Sequence, residues 1–313
     1  MHVSTENPEV NETLAMGIDL GGTKIAAALV SFPSGEIRAR ETIPTLPARG
    51  GKAVLADTVD LARRLSQQAD RIGKSVVGIG IGIAELVSLN GEITSDYIIK
   101  WRDLPALETI SQIAPARFES DARAPALAEA LFGAGKACKT FIYVTVGTGI
   151  SYCLVEDGRL FRGAHGHAII VGSGPLTSEC SKCGAVQDQV LEEFAAGPSL
   201  VSRYNREGQT PVTTGLEVTA AAAAGDPLAQ QIVRSAGDSL GNSVGFLVNV
   251  LDPETVIVGG GLGLSGGIYW DCFVASTRRH IWSDISRTLP IIPAALGNDA
   301  GVVGAAAGVW KAS

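Results

Sequence analysis

The sequence predicts an α/β fold with two lobes, and three observations carry that expectation. A strand–glycine turn–strand unit occurs twice, near residues 17–30 and 143–155, and each copy is followed by a second turn and strand. The chain has 313 residues, enough for a substantial core and two domains. Glycine is the compositional outlier at 38 residues, well above its usual share of about 7%, and much of the excess lies in turns bounded by apolar strands.

The first unit spans about 14–118. Strands are expected near 14–20, 24–31 and 36–43, with Ser34-Gly35 turning the chain before the third. In Gly17-Ile18-Asp19-Leu20-Gly21-Gly22-Thr23-Lys24-Ile25 an apolar strand turns through Gly21 and Gly22 and leaves as another strand. Such a turn presents backbone N–H groups on a surface that phosphate oxygens can approach. Asp19, at the strand's end, could hold a hydrated Mg²⁺ beside those phosphates. Asp19, Gly21, Gly22, Thr23 and Lys24 are the candidate phosphate-side residues. Thr23 precedes Lys24 and no helix follows, so the P-loop pattern is missed. A helix is expected near 51–70, with Leu55, Val59, Ala62 and Leu65 on one face. Val76 to Ile83 reads as a buried strand whose glycines at 78, 80 and 82 permit close backbone approach or tight packing. Phe118-Glu119-Ser120-Asp121 ends another strand, and 122–132 reads as a helix. Asp121 at this junction is either a catalytic carboxylate or a helix cap.

The second unit starts near 119–120 and repeats the design at Tyr143-Val144-Thr145-Val146-Gly147-Thr148-Gly149-Ile150-Ser151. Two facing turns can grip one polyphosphate, which adds Gly147, Thr148 and Gly149 to the candidate set. A loop is expected over 161–187, then helices near 188–205, 216–224 and 227–250, the last opened by Pro227. Thr255 to Val258 is a strand leading into Gly259-Gly260-Gly261-Leu262-Gly263. The run Gly261-Leu262-Gly263-Leu264-Ser265-Gly266 matches the dinucleotide fingerprint, but about fifty residues remain, too few for the rest of such a domain. A pocket for adenosine over Gly259, Gly260 and Gly261 fits better, with a plain helix-entry turn as the alternative. A final helix near 298–311 should return to the first unit.

His165-Gly166-His167 is followed by Cys180-Ser181-Lys182-Cys183-Gly184. Imidazole and thiolate are ligands that Zn²⁺ prefers, and His167, Cys180 and Cys183 could supply three, with His165, Asp188 or water as a fourth. Two thiols without a metal is the other reading. A zinc deaminase would need a glutamate two residues after the histidine, where Ile169 stands after His167.

Composition narrows the classes. The chain is 46% hydrophobic and 18% charged, so disorder is not expected beyond the first dozen residues. That N-terminus is polar and lacks the apolar core of a signal peptide, and no apolar run is long enough to span a membrane. Five scattered cysteines argue for a reducing, cytoplasmic setting rather than a disulfide framework. A net charge of −7 argues against a broad nucleic-acid surface.

On Gly17–Lys24, Val146–Gly149 and Val258–Gly261 the chain resembles the ROK family (repressor, open reading frame, kinase) of the actin-like ATPase superfamily, from Gly17 to about Gly308. The resemblance implies a two-lobed actin-like, ribonuclease H-like fold: 14–118 plus the C-terminal helix in the small lobe, 119–297 in the large, and ATP in the cleft. It places Asp121 on the base of the sugar kinases, with Ser120 in place of their asparagine. No room remains before residue 14 for the helix-turn-helix of the repressors. Family kinases resemble A-G-E-x-G-H; here His167 matches the histidine but Ala164 falls at the glutamate. Cys180 and Cys183 are one residue too far apart for the family's zinc motif, Val190 falls at a third cysteine, and Glu192 matches a residue that reaches a substrate hydroxyl. Ile98 precedes Trp101 where glucokinases carry asparagine. The resemblance thus implies an ATP- and Mg²⁺-dependent kinase acting on a sugar or sugar-like polyol, with substrate contacts from Ser120, Asp121, His167 and Glu192. The missing polar contacts favour a C7-cyclitol branch over glucose. It further implies a homodimer and a structural Zn²⁺. The rival readings are a glucokinase-type hexose kinase, a non-catalytic sugar-binding protein, and a polyphosphate-using kinase.

Overall fold

The computed structural model describes residues 12–179, 184–208 and 210–312. Three strands open the chain, β1 (Thr13–Leu20), β2 (Lys24–Phe32) and β3 (Glu36–Pro44), followed by helix α1 (Gly51–Arg71), β4 (Val76–Ile83), α2 (Ala106–Ser111) and β5 (Ala116–Ser120). They form a five-stranded sheet in the order β3-β2-β1-β4-β5. Strands β1, β2 and β3 pair antiparallel, and β1, β4 and β5 run parallel.

Helix α3 (Arg123–Phe132) leads to β6 (Thr140–Val146), β7 (Ile150–Glu156) and β8 (Arg159–Leu160). Next come the hairpin β9 (Pro175–Glu179) and β10 (Val186–Val190), then α4 (Leu191–Ala195), α5 (Gly197–Asn205), α6 (Gly215–Ala223) and α7 (Pro227–Leu251). The chain ends with β11 (Thr255–Gly259), α8 (Gly267–His280), β12 (Ile291–Pro293) and α9 (Ala300–Trp310). The second sheet has the order β12-β11-β6-β7-β8, with β6/β7 and β7/β8 antiparallel and β6/β11 and β11/β12 parallel. Read from the other edge, this repeats the topology of the first sheet strand for strand. The duplicated hairpins are the central antiparallel pair of each sheet, and the fold is the two-sheet α/β architecture of the actin-like ATPases.

Each sheet is buried on both faces, so its central strands read as continuous apolar runs. One face of the first sheet packs on α1 through Leu61, Ala62 and Leu65. Leu55 of the anticipated helix face is only partly buried; Val54 and Thr58 take its place in the interior. The other face packs on α3 and α9, with Ala15, Ala28 and Val30 against Val303 and Ala307. Contact between α9 and this sheet is made at the backbone. A Cβ on Gly17 or Gly80 would overlap the carbonyl oxygens of Val302 and Ala305, so only glycine permits this spacing. The second sheet packs on α5, α6, α7 and α8.

Two expectations are corrected. The stretch 161–187 is not all loop, because β9 and the start of β10 lie within it, and the helix anticipated from 188 starts at Leu191 and breaks at Ala196. Val186-Gln187-Asp188-Gln189-Val190 carries no helical stripe, and Pro198 ends one helix and starts the next by lacking an N–H. The glycine-rich turn after β11 leads directly into α8, which the sequence reading had not assigned.

Candidate active site

The parallel register of β1, β4 and β5 brings three strand ends to one edge. Asp19 lies opposite Gly82, Gly82 lies opposite Glu119, and the Asp121 N–H donates to the Ile83 carbonyl (3.1 Å). Asp19 and Asp121 therefore face one cleft from the ends of β1 and β5, on either side of β4, the position where open α/β sheets bind ligands.

The first hairpin is built almost wholly from backbone. Gly21 N–H donates to Lys24 O (3.1 Å), Thr45 N–H donates to Thr23 O (3.0 Å), and the Thr45 hydroxyl donates to Gly21 O (2.6 Å). Thr23 and Lys24 are exposed. A Cβ on Gly21 would meet only Lys24 O at 3.5 Å, so the turn is open on its cleft side. Behind it, Gly301 in the first turn of α9 leaves room for the Asp19 carboxylate; a Cβ there would sit 2.6 Å from Oδ2.

The second hairpin is tighter and is backed by an acid. Gly147 N–H donates to Gly149 O (2.9 Å), and Gly197 N–H at the start of α5 donates to Gly147 O (2.9 Å). Glu192, in the first turn of α4, accepts from Ile150 N–H at Oε2 (2.7 Å). A Cβ on Gly149 would lie 2.6 Å from the same oxygen, so this glycine makes room for Glu192. Thr148 at the tip is exposed. Of the three glycines after β11, Gly259 and Gly260 serve packing, since Cβ atoms there would strike Tyr143 Oη and the Val146 backbone. Gly261 has nothing within 4 Å of its Cβ direction, and the Cβ direction of Gly147 points toward Gly261 N at 3.9 Å. The cradle is thus lined by Gly21, Gly147 and Gly261, a surface that suits close approach of a polyphosphate.

Asp121 is the electrostatic centre. Burial pushes its carboxyl up to about 7 and the charge of Asp19 pushes in the same direction, against lowering from the Ala122 N–H and the Ser120 hydroxyl, while the charge of Glu192 adds the smallest upward push. Desolvation raises Asp19 to about 6, opposed by Lys24. Its carboxylate takes no hydrogen bond from the described residues, and a hard oxygen donor without a partner beside an open phosphate cradle fits Mg²⁺. Ser120 is fully buried, and its Oγ accepts from Ala122 N–H (3.2 Å), so its side chain presents no surface to an acceptor. The side chain of Asp121 does not cap α3, whose cap residue is Ala122.

The acceptor side is assembled from two loops. His167 Nε2 is 2.9 Å from Thr94 Oγ1, which joins the 163–167 loop to the segment after β4, and Nδ1 has no partner among the described residues. Cys180 and Cys183 lie outside the described residues, and no cluster of three metal-ligating side chains occurs among those described. Two supports were not foreseen. Glu85 is buried and gathers Ser95 Oγ and the N–H groups of Tyr97 (3.1 Å), Ile98 (2.6 Å) and Ile99 (2.8 Å). Burial pushes its carboxyl up, but these donors together hold it below the usual range. Arg123, fully buried, donates to the carbonyls of Gly166 and Val87 and to Glu119 Oε1 (2.6 Å). Its signal in the sequence is an arginine inside the apolar helix 122–132, two residues past Asp121. Ile98 closes the segment, 3.2 Å from where a Gly22 Cβ would lie.

The ROK family profile matches residues 15–312. The glucokinase of Streptomyces coelicolor is 31% identical over 94% of this chain and 96% of its own. The N-acetylmannosamine kinase of Escherichia coli is 28% identical over 93% and 96%. Among solved structures, a ROK family glucokinase from Streptomyces griseus in complex with glucose and AMPPNP superposes with a TM-score of 0.80, at 29% identity, over 95% of this chain and 99% of that one.

Proposed function

The chain belongs to the ROK family, and on that premise we propose that it is an ATP-dependent kinase transferring the γ-phosphoryl group to a hydroxyl of a sugar or sugar-like polyol. The observation that carries this reading is the placement of Asp121 beside the two glycine hairpins, with Asp19 and Glu192 both raising its proton affinity. A carboxyl poised near 7 is matched to accepting a hydroxyl proton at neutral pH. As the acceptor oxygen bonds to the γ-phosphorus and ADP departs, Asp121 takes the hydroxyl proton. The N–H groups of Gly22 and Thr23 and of Thr148 and Gly149, which the turns' own hydrogen bonds leave open, meet the charge on the phosphoryl oxygens. Asp19 would hold Mg²⁺, which would supply charge neutralisation for the phosphates. Glu192 Oε1 and His167 Nδ1 have no partner among the described residues and could meet acceptor hydroxyls, since Oε2 and Nε2 are engaged by Ile150 and Thr94.

Within the sugar class two acceptors compete. Glucokinase relatives support a hexose. Ala164 and Ile98, standing where the family pattern has glutamate and asparagine, support a C7-cyclitol, because hydroxyls of a hexose would lose two polar partners. The small lobe is taken as 14–118 with the C-terminal helix and the large lobe as 119–297, in a cytoplasmic homodimer. A structural Zn²⁺ on His167, Cys180 and Cys183 would steady the acceptor loop, taking His167 Nδ1 in place of an acceptor hydroxyl because Nε2 meets Thr94. ADP release measured with glucose, N-acetylmannosamine and a C7-cyclitol tests the reading; release that no acceptor stimulates removes it. Metal content of protein purified without added metal tests the zinc, with about one per chain expected for a closed site.

A further inference from the structure

Away from the cleft, a cavity of about 270 Å³ opens where the edge strands of the two sheets meet. Its walls carry Arg117 from β5, Arg159 from β8, Arg162 just beyond it and Lys311 after α9, facing the single carboxylate of Glu119. That carboxylate is already shared between Arg123 (2.6 Å) and Arg162 (2.5 Å). The floor is Gly80, Gly304, Ala305 and Gly308, where α9 lies directly on the sheet, so guanidinium groups can close over a ligand resting on backbone. Four cations around one committed acid are out of keeping with a chain of net charge −7. Arg159 and Lys311 are exposed and take no part in an ion pair among the described residues. Like charges gathered this way repel unless an anion joins them, and guanidinium forks match phosphate oxygens in pairs.

We propose that this cavity is a binding site for a small phosphate monoester, distinct from the phosphate cradle of the cleft. The volume falls just below the range of about 300–1,000 Å³ typical of sites for drug-sized ligands, which selects a compact, highly charged anion over a nucleotide. Contributions from both sheets mean that the anion ties the two halves of the chain together. Arg162 links the site to the acceptor loop, because it shares Glu119 with Arg123, and Arg123 holds Gly166.

Isothermal titration of the full chain at low ionic strength tests this, with glycerol 3-phosphate as the monoester and inorganic phosphate as the free-anion arm. Both are titrated in the presence of saturating AMPPNP, so that the cleft is filled. The proposal expects saturable binding of glycerol 3-phosphate, tighter than that of inorganic phosphate. It also expects a loss of about tenfold or more in affinity in the double variant R159Q/K311Q, the scale of one or two charge-assisted hydrogen bonds. Both side chains are exposed, so an unchanged thermal midpoint confirms that the variant is folded. Absence of saturable binding at millimolar ligand, equal or tighter binding of inorganic phosphate, or unchanged affinity in the folded double variant would overturn it. The readout is binding without turnover, so it stands or falls separately from the kinase reading.

Discussion

The two glycine hairpins are copies in sequence and in sheet position, yet each brings an acid to Asp121 by a different route. In the first, the acid is Asp19, two residues before the turn on the same strand. In the second, the matching position is Thr145, and the acid is Glu192, forty-two residues beyond Ile150 on helix α4. The first turn is held by its own backbone and by Thr45; the second is wedged by a carboxylate behind Gly149. Duplication thus preserved the cradle while the charges around it were supplied independently. A local motif shows the first acid and hides the second.

Removing the group on which both acids act should have the largest effect. Asp121→Asn is expected to lower kcat by about 10²-fold or more while ATP still binds, the usual scale for a positioned base. Near-normal turnover in the folded variant would leave the hairpins as a binding device only. The same variant reports on stability. The Asp121 carboxyl is raised from its ordinary 3.8 to about 7, so its protonated form is the one the fold favours. Its contribution is fully present below about pH 4 and is lost as pH rises through 7, and Asp19, raised to about 6, acts in the same direction. Asp121→Asn should therefore raise the thermal midpoint at pH 8 relative to wild type by about 2 °C or more, and change it little at pH 4.

Next comes the difference between the turns themselves. Gly149→Val should displace Glu192 from Ile150 N–H, lowering the thermal midpoint and raising the KM for ATP together. Gly21→Ala meets only one backbone oxygen at 3.5 Å, so it should leave the stability within about 0.5 kcal/mol of wild type and raise only the KM for ATP. Equal thermal behaviour of the two variants would erase the distinction between a wedged and an open turn.

The pH profile separates the two acids. Acceptor phosphorylation should fall below pH 7, by up to tenfold per unit, as Asp121 takes a proton. Glu192→Gln removes one of the two charges that raise it, so the acid limb of kcat/KM should move to lower pH. An acid limb that stays in place in Glu192→Gln would mean that the limb belongs to another group.

Legibility followed the same divide. Whatever depends on neighbours in sequence was readable: the strands of both hairpins, the junction at Asp121, the long helix behind Pro227. Whatever depends on register or on distant segments was not. The need for glycine at 17 and 80 comes from the α9 backbone more than two hundred residues away. Glu85 and Arg123 are single charged residues in apolar runs, and only the fold shows which N–H groups and carbonyls they satisfy. The resemblance implies Ser120 as a substrate contact because it stands at the asparagine of the family pattern, whereas strand alternation turns it inward here. Gly259 and Gly260 were grouped with Gly261 by composition, although the first two are occupied by packing against β6.

The smallest expected effect isolates the first hairpin. Thr45, buried at the end of β3, donates its hydroxyl to Gly21 O (2.6 Å) and its N–H to Thr23 O (3.0 Å). Thr45→Val keeps the shape and the backbone bond but removes the hydroxyl, at a cost of about 0.5–1.5 kcal/mol. Thr45 makes its hydrogen bonds to Gly21, Thr23 and Arg49 and none to the second hairpin among the described residues, so Glu192 keeps its bond to Ile150 and the acid limb of the pH profile should not move. The KM for ATP should rise by about two- to threefold, since a looser Gly21 carbonyl lets the neighbouring N–H groups drift from the phosphates. A shifted pH profile in Thr45→Val would show that the two hairpins are mechanically coupled, and the picture of two independently supported turns would have to be given up.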